Sequence, residues 1–209
     1  PLIAESCFIK YPKRLLYSVP ATGFQDKATL SNKNDAKQDF WRVYLTENFR
    51  DFKAKVTTIK PINETGALIF FPTMSPKMFQ GQDRLQLSNT KLTIGDGGLF
   101  SQAFQNITNS DVSHEYGSCE SARSVLNTPF GIFFASQAQG KIFQYRPGGG
   151  LTPISDQGMK WWMNKFLPSK LLEYFPLIED CPEAVDNPVN GAGIQTVYDP
   201  NNDIVYFCK

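Results

Sequence analysis

The chain has 209 residues, of which 41% are hydrophobic, and its aromatic content is high, with 17 Phe, 8 Tyr and 3 Trp. Lys and Arg number 21 against 20 Asp and Glu, so the formal net charge is only +1, whereas surfaces that grip nucleic acid normally carry a clear basic excess. This charge balance argues against nucleic acid as a primary ligand, although a weak contact with passing DNA stays open. The sequence also lacks the apolar run of about 18 residues that predicts a membrane-spanning helix.

The first part of the chain differs from the rest. Residues 1–38 combine short apolar stretches with a polar run at 31–38, which is typical of an exposed loop or linker. We predict an N-terminal extension or linker at 1–38 and a β-rich domain at 39–209. Because the chain starts with Pro1 and ends at Lys209 directly after a strand-like run, we expect a fragment of a longer protein, with the domain incomplete at its C-terminal end.

The central part of the chain predicts several short strands. Its predicted segments are, in order, an apolar patch at 40–45, a strand at 55–60, a turn at Pro61 and 63–66, a buried strand at 67–71 ended by Pro72, a partner strand that starts at Met78, a strand at 91–94 and a glycine-rich turn at 95–98. Glycine suits such turns because it adopts positive φ values without strain.

The clearest pattern lies at 123–155, where short apolar segments alternate with tight turns. The predicted strands cover 132–136, 141–146 and 151–155, with turns at 137–140 and 147–150. Short strands joined by tight glycine turns are typical of a propeller blade or a sandwich meander. No sequence period is regular enough to predict repeats.

One convincing helix is predicted at 159–167. Pro168 ends it, because proline removes a backbone hydrogen bond, and Ser155 or Asp156 would cap its start. A second helical piece is predicted at 169–175.

The end of the chain predicts a β-hairpin, with strands at 194–198 and 203–207. Together the segments predict a mainly β fold of short antiparallel meanders, either propeller-like or sandwich blades. One or two short helices are expected near 157–175.

The sequence contains one histidine, His114, and any serine or cysteine nucleophile activated by histidine would have to use it. Cys119 lies five residues later, but no G-x-S-x-G motif is present. A loop histidine bonded to backbone or solvent is the simpler interpretation. We therefore predict no catalytic residue, and we predict that the chain is not an enzyme.

Metal and cofactor motifs are also missing from the sequence. The four cysteines, at 7, 119, 181 and 208, form no C-x-x-C pair and are expected to be buried, reduced thiols. Residues 199–203 resemble the start of a calcium loop but lack its glycine and its later glutamate, so a hairpin turn is favoured. The glycine-rich turns at 95–98 and 148–150 do not match a phosphate-binding loop. We predict no metal and no cofactor.

The aromatic residues of the predicted helix are the candidate interface of the chain. Trp162 and Phe166 share one helical face, and Trp161 lies beside them. Three interpretations are open: packing of the helix on a sheet, a contact between subunits, or a platform on which a sugar stacks.

Seven short motifs, taken in order, resemble a family of phage proteins. In this sequence they are TIGDGGLF at 93–100, EYGSC at 115–119, NTPFG at 127–131, QGKIF at 139–143, IS at 154–155 with MKWW at 159–162, DNPV at 186–189, and VYD at 197–199 with IVYFC at 204–208. The chain resembles tail stabilisation or muzzle-type structural proteins of short-tailed, crAss-like bacteriophages over about residues 40–209.

The resemblance implies a virion protein of the phage tail, made in the bacterial cytoplasm. It implies an oligomeric ring or plug at the DNA exit channel below the portal, often with propeller-like β domains. Its expected partners are copies of itself and other proteins of the tail and portal vertex, with DNA only as passing cargo. The family offers no catalytic residues, and its members are longer than this chain. The alternative is a carbohydrate-binding or receptor-binding β domain.

Overall fold

The computed structural model describes residues 9, 11–17, 49–63, 66–80, 83–87, 90–94, 103–108, 111–167 and 193–208. Within these residues the fold is mainly β, with short antiparallel sheets and one α-helix, which confirms the predicted fold class. The choice between a propeller and a sandwich stays a prediction, as does the domain boundary at residue 38. The segments predicted at 31–38, 40–45, 95–98 and 169–175 lie outside the described residues.

Fourteen strands, one α-helix and two short 3-10 helices make up the regular structure of the described residues. The strands are β1 (Arg14–Leu16), β2 (Phe49–Asp51), β3 (Thr58–Asn63), β4 (Gly66–Phe70), β5 (Lys77–Gln80), β6 (Asp83–Leu87), β7 (Thr90–Ile94), β8 (Gln105–Asn106), β9 (Leu126–Thr128), β10 (Gly131–Ser136), β11 (Lys141–Arg146), β12 (Gly150–Pro153), β13 (Gln195–Asp199) and β14 (Ile204–Cys208). Helix α1 spans Lys160–Phe166, and the 3-10 helices cover Ala122–Ser124 and Ile154–Asp156.

Strands β9 to β12 form an antiparallel meander in the order β12-β11-β10-β9. The β10–β11 register runs from Ile132 opposite Tyr145 to Ser136 opposite Lys141, which confirms the two central strands predicted here. Gly140 closes the connecting turn with φ +59, a conformation that glycine adopts without strain.

The outer strand of the meander ends earlier than its sequence predicts. The strand predicted at 151–155 is wrong beyond Pro153, because Ile154–Asp156 turns into a 3-10 helix. Ser155 Oγ accepts a hydrogen bond from the backbone N–H of Ile142 at 3.1 Å. This bond directs the serine toward β11 and away from a strand position.

Helix α1 occupies most of the helix predicted at 159–167. Met159 stands at its N-terminal cap position, and no side chain makes a capping hydrogen bond there. The predicted caps are therefore wrong. Ser155 bonds to β11 instead, and Asp156 accepts a hydrogen bond from Lys141 Nζ at 3.0 Å.

A second antiparallel sheet has the strand order β3-β4-β5-β8. The pairing of β4 with β5, including Leu68 opposite Met78, confirms the buried strand and the partner predicted for it. The turn predicted at Pro61 is wrong, because β3 continues through this residue to Asn63. A proline is tolerated there since β3 is an edge strand, and the register shifts between Pro61 and Asn63.

Phenylalanine side chains join these two sheets. Phe70 of β4 lies 5.0 Å from Phe134 of β10, between ring centroids, and Phe134 stacks on Phe143 of β11 at 5.5 Å. All three side chains are fully buried. Aromatic pairs of this kind add about 0.5–1.5 kcal/mol each beyond the area that they bury. The core is thus continuous between β4 and the meander.

Strand β1 belongs to the predicted N-terminal extension, yet it pairs with β2. Leu15 packs against a buried cluster that contains Phe71 and Phe79. The Arg14 guanidinium donates two hydrogen bonds to the Asp51 carboxylate, at 2.7 and 2.8 Å, and these bonds lower the pKa of Asp51. Part of the predicted extension is therefore attached to the β body.

Candidate interaction surface

Helix α1 is fixed to the β body through one face. Met163 and Leu167 are 9% and 6% exposed, and they belong to a single buried cluster with Ala135, Ile142 and Ile194. Met159, just before the helix, is 48% exposed. The helix therefore packs on the sheet, as one interpretation of the sequence predicted, but it does so through the face that carries Met163.

The three predicted interface residues lie on the outer side of α1. Trp161, Trp162 and Phe166 are 70%, 47% and 46% exposed. The Phe166 ring centroid lies 5.2 Å from that of Trp162 and 6.4 Å from that of Trp161. The rings thus form one continuous apolar surface, which we call the aromatic face of α1. Contact of this face with another subunit stays a prediction.

A lysine stands beside the aromatic face. Lys165 Nζ lies 5.1 Å from the ring centroid of Trp161 and 5.3 Å from that of Phe166. At exposed sites such a cation–π contact contributes about 0.5–1 kcal/mol. An aromatic centre with a polar, charged rim matches the composition of protein interfaces.

His114 and Cys119 lie in contrasting environments. The His114 side chain is 81% exposed, and its Nε2 is 3.9 Å from Glu115 Oε1. Cys119 is fully buried, with its Sγ 3.4 Å from Ser124 Oγ. An enclosed thiol cannot reach a substrate, so this arrangement gives no support to a Cys119–His114 catalytic pair.

The expectation of buried thiols is confirmed for Cys119 and wrong for Cys208. Cys208 ends β14, whose residues are alternately exposed and half-buried, and it falls on the exposed side. The cysteines at 7 and 181 lie outside the described residues.

A buried polar network at 118–124 was not predicted from the sequence. Ser121 Oγ accepts hydrogen bonds from Gln137 Nε2 at 2.7 Å and from the backbone N–H of Ile194 at 3.1 Å. The Glu120 carboxylate accepts a bond from the Gln137 backbone N–H at 2.7 Å. The network ties the β10–β11 turn to the residue before β13. Its sequence signal, three serines in seven residues, only indicates a loop.

The hairpin of β13 and β14 confirms the predicted C-terminal hairpin. In its turn, Asp199 accepts hydrogen bonds from Asn202 Nδ2 at 2.8 Å and from the Asn201 backbone N–H at 2.9 Å. These bonds lower the pKa of Asp199. Both carboxylate oxygens serve the turn, which favours the hairpin interpretation over a calcium loop. The Tyr198 hydroxyl donates a hydrogen bond to the Asp203 carboxylate at 2.6 Å, and this bond raises the pKa of Tyr198.

The same hairpin carries a second exposed apolar surface. Val197 of β13 lies directly opposite Tyr206 of β14, and these residues are 60% and 49% exposed. Ile204 follows on β14 and is 42% exposed. The sequence predicts these two strands but does not predict that this face lies outside.

In the part of the chain that the structure describes, no three His, Cys, Asp or Glu side chains form a group suited to a metal ion. Among the same residues, α1 included, no helix has the length and apolar character needed to cross a membrane.

Neither a scan against protein-family models nor a search of the curated proteins gives a match to this chain. The aromatic face of α1 and the sequence resemblance are therefore the grounds for a functional proposal.

Proposed function

We propose that this chain is a structural protein of a bacteriophage tail that forms an oligomeric ring or plug at the DNA exit channel below the portal. Its partners are copies of itself and other proteins of the tail and portal vertex, and its location is the virion. The observation that carries the proposal is the aromatic face of α1, exposed on a helix whose other side is anchored in the core.

The anchoring of α1 supports an interface that is ready before the partner arrives. Met163 and Leu167 bury the inner side of the helix, so the outer aromatic rings are held in place by the β body. Trp is enriched among the residues that dominate binding energy. A rigid surface loses little side-chain entropy on binding, which favours affinity.

The aromatic core supports a stiff subunit. Phe70, Phe134 and Phe143 join two sheets without exposure to solvent. Protein interiors packed in this way are as dense as organic crystals and deform little. A wall around a DNA channel needs such stiffness, together with obligate contacts that often bury more than about 2,000 Å².

The charge balance supports DNA as passing cargo. With a net charge of +1, the chain has no large excess of cations to hold phosphates. Each phosphate–cation contact adds salt-dependent retention, which would slow DNA as it leaves the capsid.

The proposal is tested by native mass spectrometry and negative-stain microscopy of the purified chain. We expect a closed homo-oligomer that dissociates when Trp161, Trp162 and Phe166 are together replaced by serine. Phe130→Ser is the matched control, since Phe130 is 47% exposed but lies in the β9–β10 turn. A parent chain that is monomeric at every concentration, or a triple variant that still forms a closed ring of more than two copies, would contradict the proposal.

The virion location needs its own experiment. Antibodies against the chain, applied to phage particles from the source of this sequence, should label the vertex where the tail meets the portal. Absence of the chain from purified virions by mass spectrometry would overturn the tail assignment even if the chain forms a ring.

A carbohydrate-binding domain is the second candidate, and one observation favours it. Trp161 is 70% exposed, and an open indole face can stack on a sugar ring. The neighbouring charge is the Lys165 ammonium, not a carboxylate. A glycan array with the parent chain and Trp161→Ser decides the matter, because specific binding that the substitution abolishes would support this candidate.

A further inference from the structure

Strand β14 is an exposed edge of the hairpin sheet. Within the described residues this sheet contains only β13 and β14, and the outer edge of β14 pairs with no strand there. The five residues of β14, IVYFC, include no proline, glycine or charged side chain. The backbone groups along such an edge can pair with a further strand.

Four other edge strands of this fold, namely β3, β12, β8 and β13, carry features that discourage strand addition. In β3 there is a proline and a register shift, in β12 a proline, and β8 is only two residues long. The outer side of β13 lies against β9 and the 3-10 helix at Ala122–Ser124. Proteins block exposed edges with proline, bulges, short strands and covering segments. Among the residues that the structure describes, strand β14 has none of them.

We propose that β14 pairs antiparallel with β14 of a second copy of this chain, about a two-fold axis at Tyr206. This register places Tyr206 opposite Tyr206 of the second copy and Ile204 opposite Cys208, all on the exposed side of the hairpin. Val205 then stands opposite Phe207 on the other side. Every pair is apolar, so the strand is complementary to itself and no charge is brought face to face with another.

The two hairpins would form one four-stranded sheet with a continuous apolar surface. Val197 already lies opposite Tyr206 within each hairpin. Joining the copies therefore aligns four apolar side chains across the sheet, and cross-strand pairs of this kind each contribute about 0.2–1 kcal/mol. Because the edge is complementary to itself, and because pairing aligns these four apolar side chains in one row, the partner that fits β14 is a second copy of this chain.

This contact is separate from the aromatic face of α1 and does not require a tail location. A two-fold contact closes at two copies, whereas a ring needs a head-to-tail contact between different surfaces. Loss of one contact therefore leaves the other measurable.

Disulfide trapping tests the register. The variant Tyr206→Cys, in a Cys208→Ser background, should form a covalent dimer under mild oxidation at least tenfold faster than Val197→Cys in the same background. Val197 is the matched control because it lies on the same face of the sheet. In the proposed dimer the two Val197 positions would be three strand spacings, or about 14 Å, apart. That distance is far beyond the reach of a disulfide. The Cys208→Ser chain gives the background rate from the remaining cysteines. Equal rates for the two variants would overturn the proposal.

Hydrogen exchange of the parent chain gives a test that does not depend on the folding of a variant. Exchange of the β14 amides should slow as the protein concentration rises, while the β10 amides stay unchanged. The serine triple variant of α1 should retain this behaviour, which separates the proposal from the ring. Exchange that is independent of concentration, or a parent chain that remains monomeric in sedimentation equilibrium, would refute pairing through β14.

Discussion

Gly140 and Asn164 bring the β10–β11 turn into direct contact with the backbone of α1. A Cβ atom built on Gly140 would lie 2.9 Å from Asn164 Cα and 3.1 Å from the carbonyl oxygen of Met163. Real Cβ atoms essentially never come within 3.0 Å of another residue's backbone, so any side chain at position 140 would force α1 or the turn to shift. The position of the aromatic face thus depends on one residue of the meander turn.

Gly140→Ala should destabilise the chain by about 2–5 kcal/mol. The strain of a side chain at φ +59 accounts for roughly 1–2 kcal/mol, and overpacking against α1 adds about 1–3 kcal/mol. Urea denaturation followed by circular dichroism measures the difference. Gly148→Ala is the control, since Gly148 has φ +78 but no atom within 4 Å of an added Cβ. Equal losses in both variants would show that α1 does not need the close approach.

Phe134→Ala should cost about 3–5 kcal/mol, as expected for a large buried aromatic side chain. Phe134 contacts both Phe70 and Phe143, so its loss opens a cavity at the junction of the two sheets. The free energy of unfolding gives the value, with Phe130→Ala as an exposed control. A loss below about 1 kcal/mol would mean that the two sheets are not joined through this ring.

The elements that the sequence predicts correctly depend on local signals. The strand at 132–136 follows from a continuous apolar run and the strand at 141–146 from alternating apolar residues, both beside glycine turns. The C-terminal hairpin follows from two strand-like runs that flank a polar turn. Helical spacing also predicts the contact between Trp162 and Phe166. Such patterns need no knowledge of the distant chain.

The features that the sequence does not predict depend on distant contacts. Ser121 bonds to Ile194, which is 73 positions away, and no local pattern indicates that partner. The outward orientation of Trp161 is equally nonlocal, because it depends on which side of α1 meets Ile142 and Ile194. Its position in the sequence predicts Ser155 as a helix cap. In the structure the Ser155 hydroxyl instead accepts a hydrogen bond from the backbone N–H of Ile142 on β11, so it does not cap the helix.

Ser121→Ala should destabilise the chain by about 1–3 kcal/mol for each buried donor that loses its acceptor. The two donors are Gln137 Nε2 and the Ile194 backbone N–H. Urea denaturation gives the total, and faster hydrogen exchange at Ile194 would locate the effect. Ser113→Ala is the control, because Ser113 is exposed. An unchanged exchange rate at Ile194 would show that its N–H does not depend on the Ser121 hydroxyl.

Tyr145→Phe should reduce the loss of stability at alkaline pH. Tyr145 is 5% exposed and donates a hydrogen bond to Met78 Sδ at 3.3 Å, and desolvation raises its pKa above the ordinary value of 10.0. The unfolded chain therefore loses the tyrosine proton at a lower pH than the folded chain does. The resulting stability is fully present below pH 10.0 and is lost as the pH rises through the folded pKa.

Urea denaturation from neutral pH to above pH 10.0 measures this decline in the parent and in Tyr145→Phe. The substitution removes one ionisable group, so the curve of unfolding free energy against pH should fall less steeply. Desolvation also raises the pKa of Tyr116, and adding Tyr116→Phe should therefore flatten the curve further. If the parent and Tyr145→Phe lose the same stability over this range, the buried Tyr145 hydroxyl does not contribute to alkaline unfolding, and the decline must come from other groups.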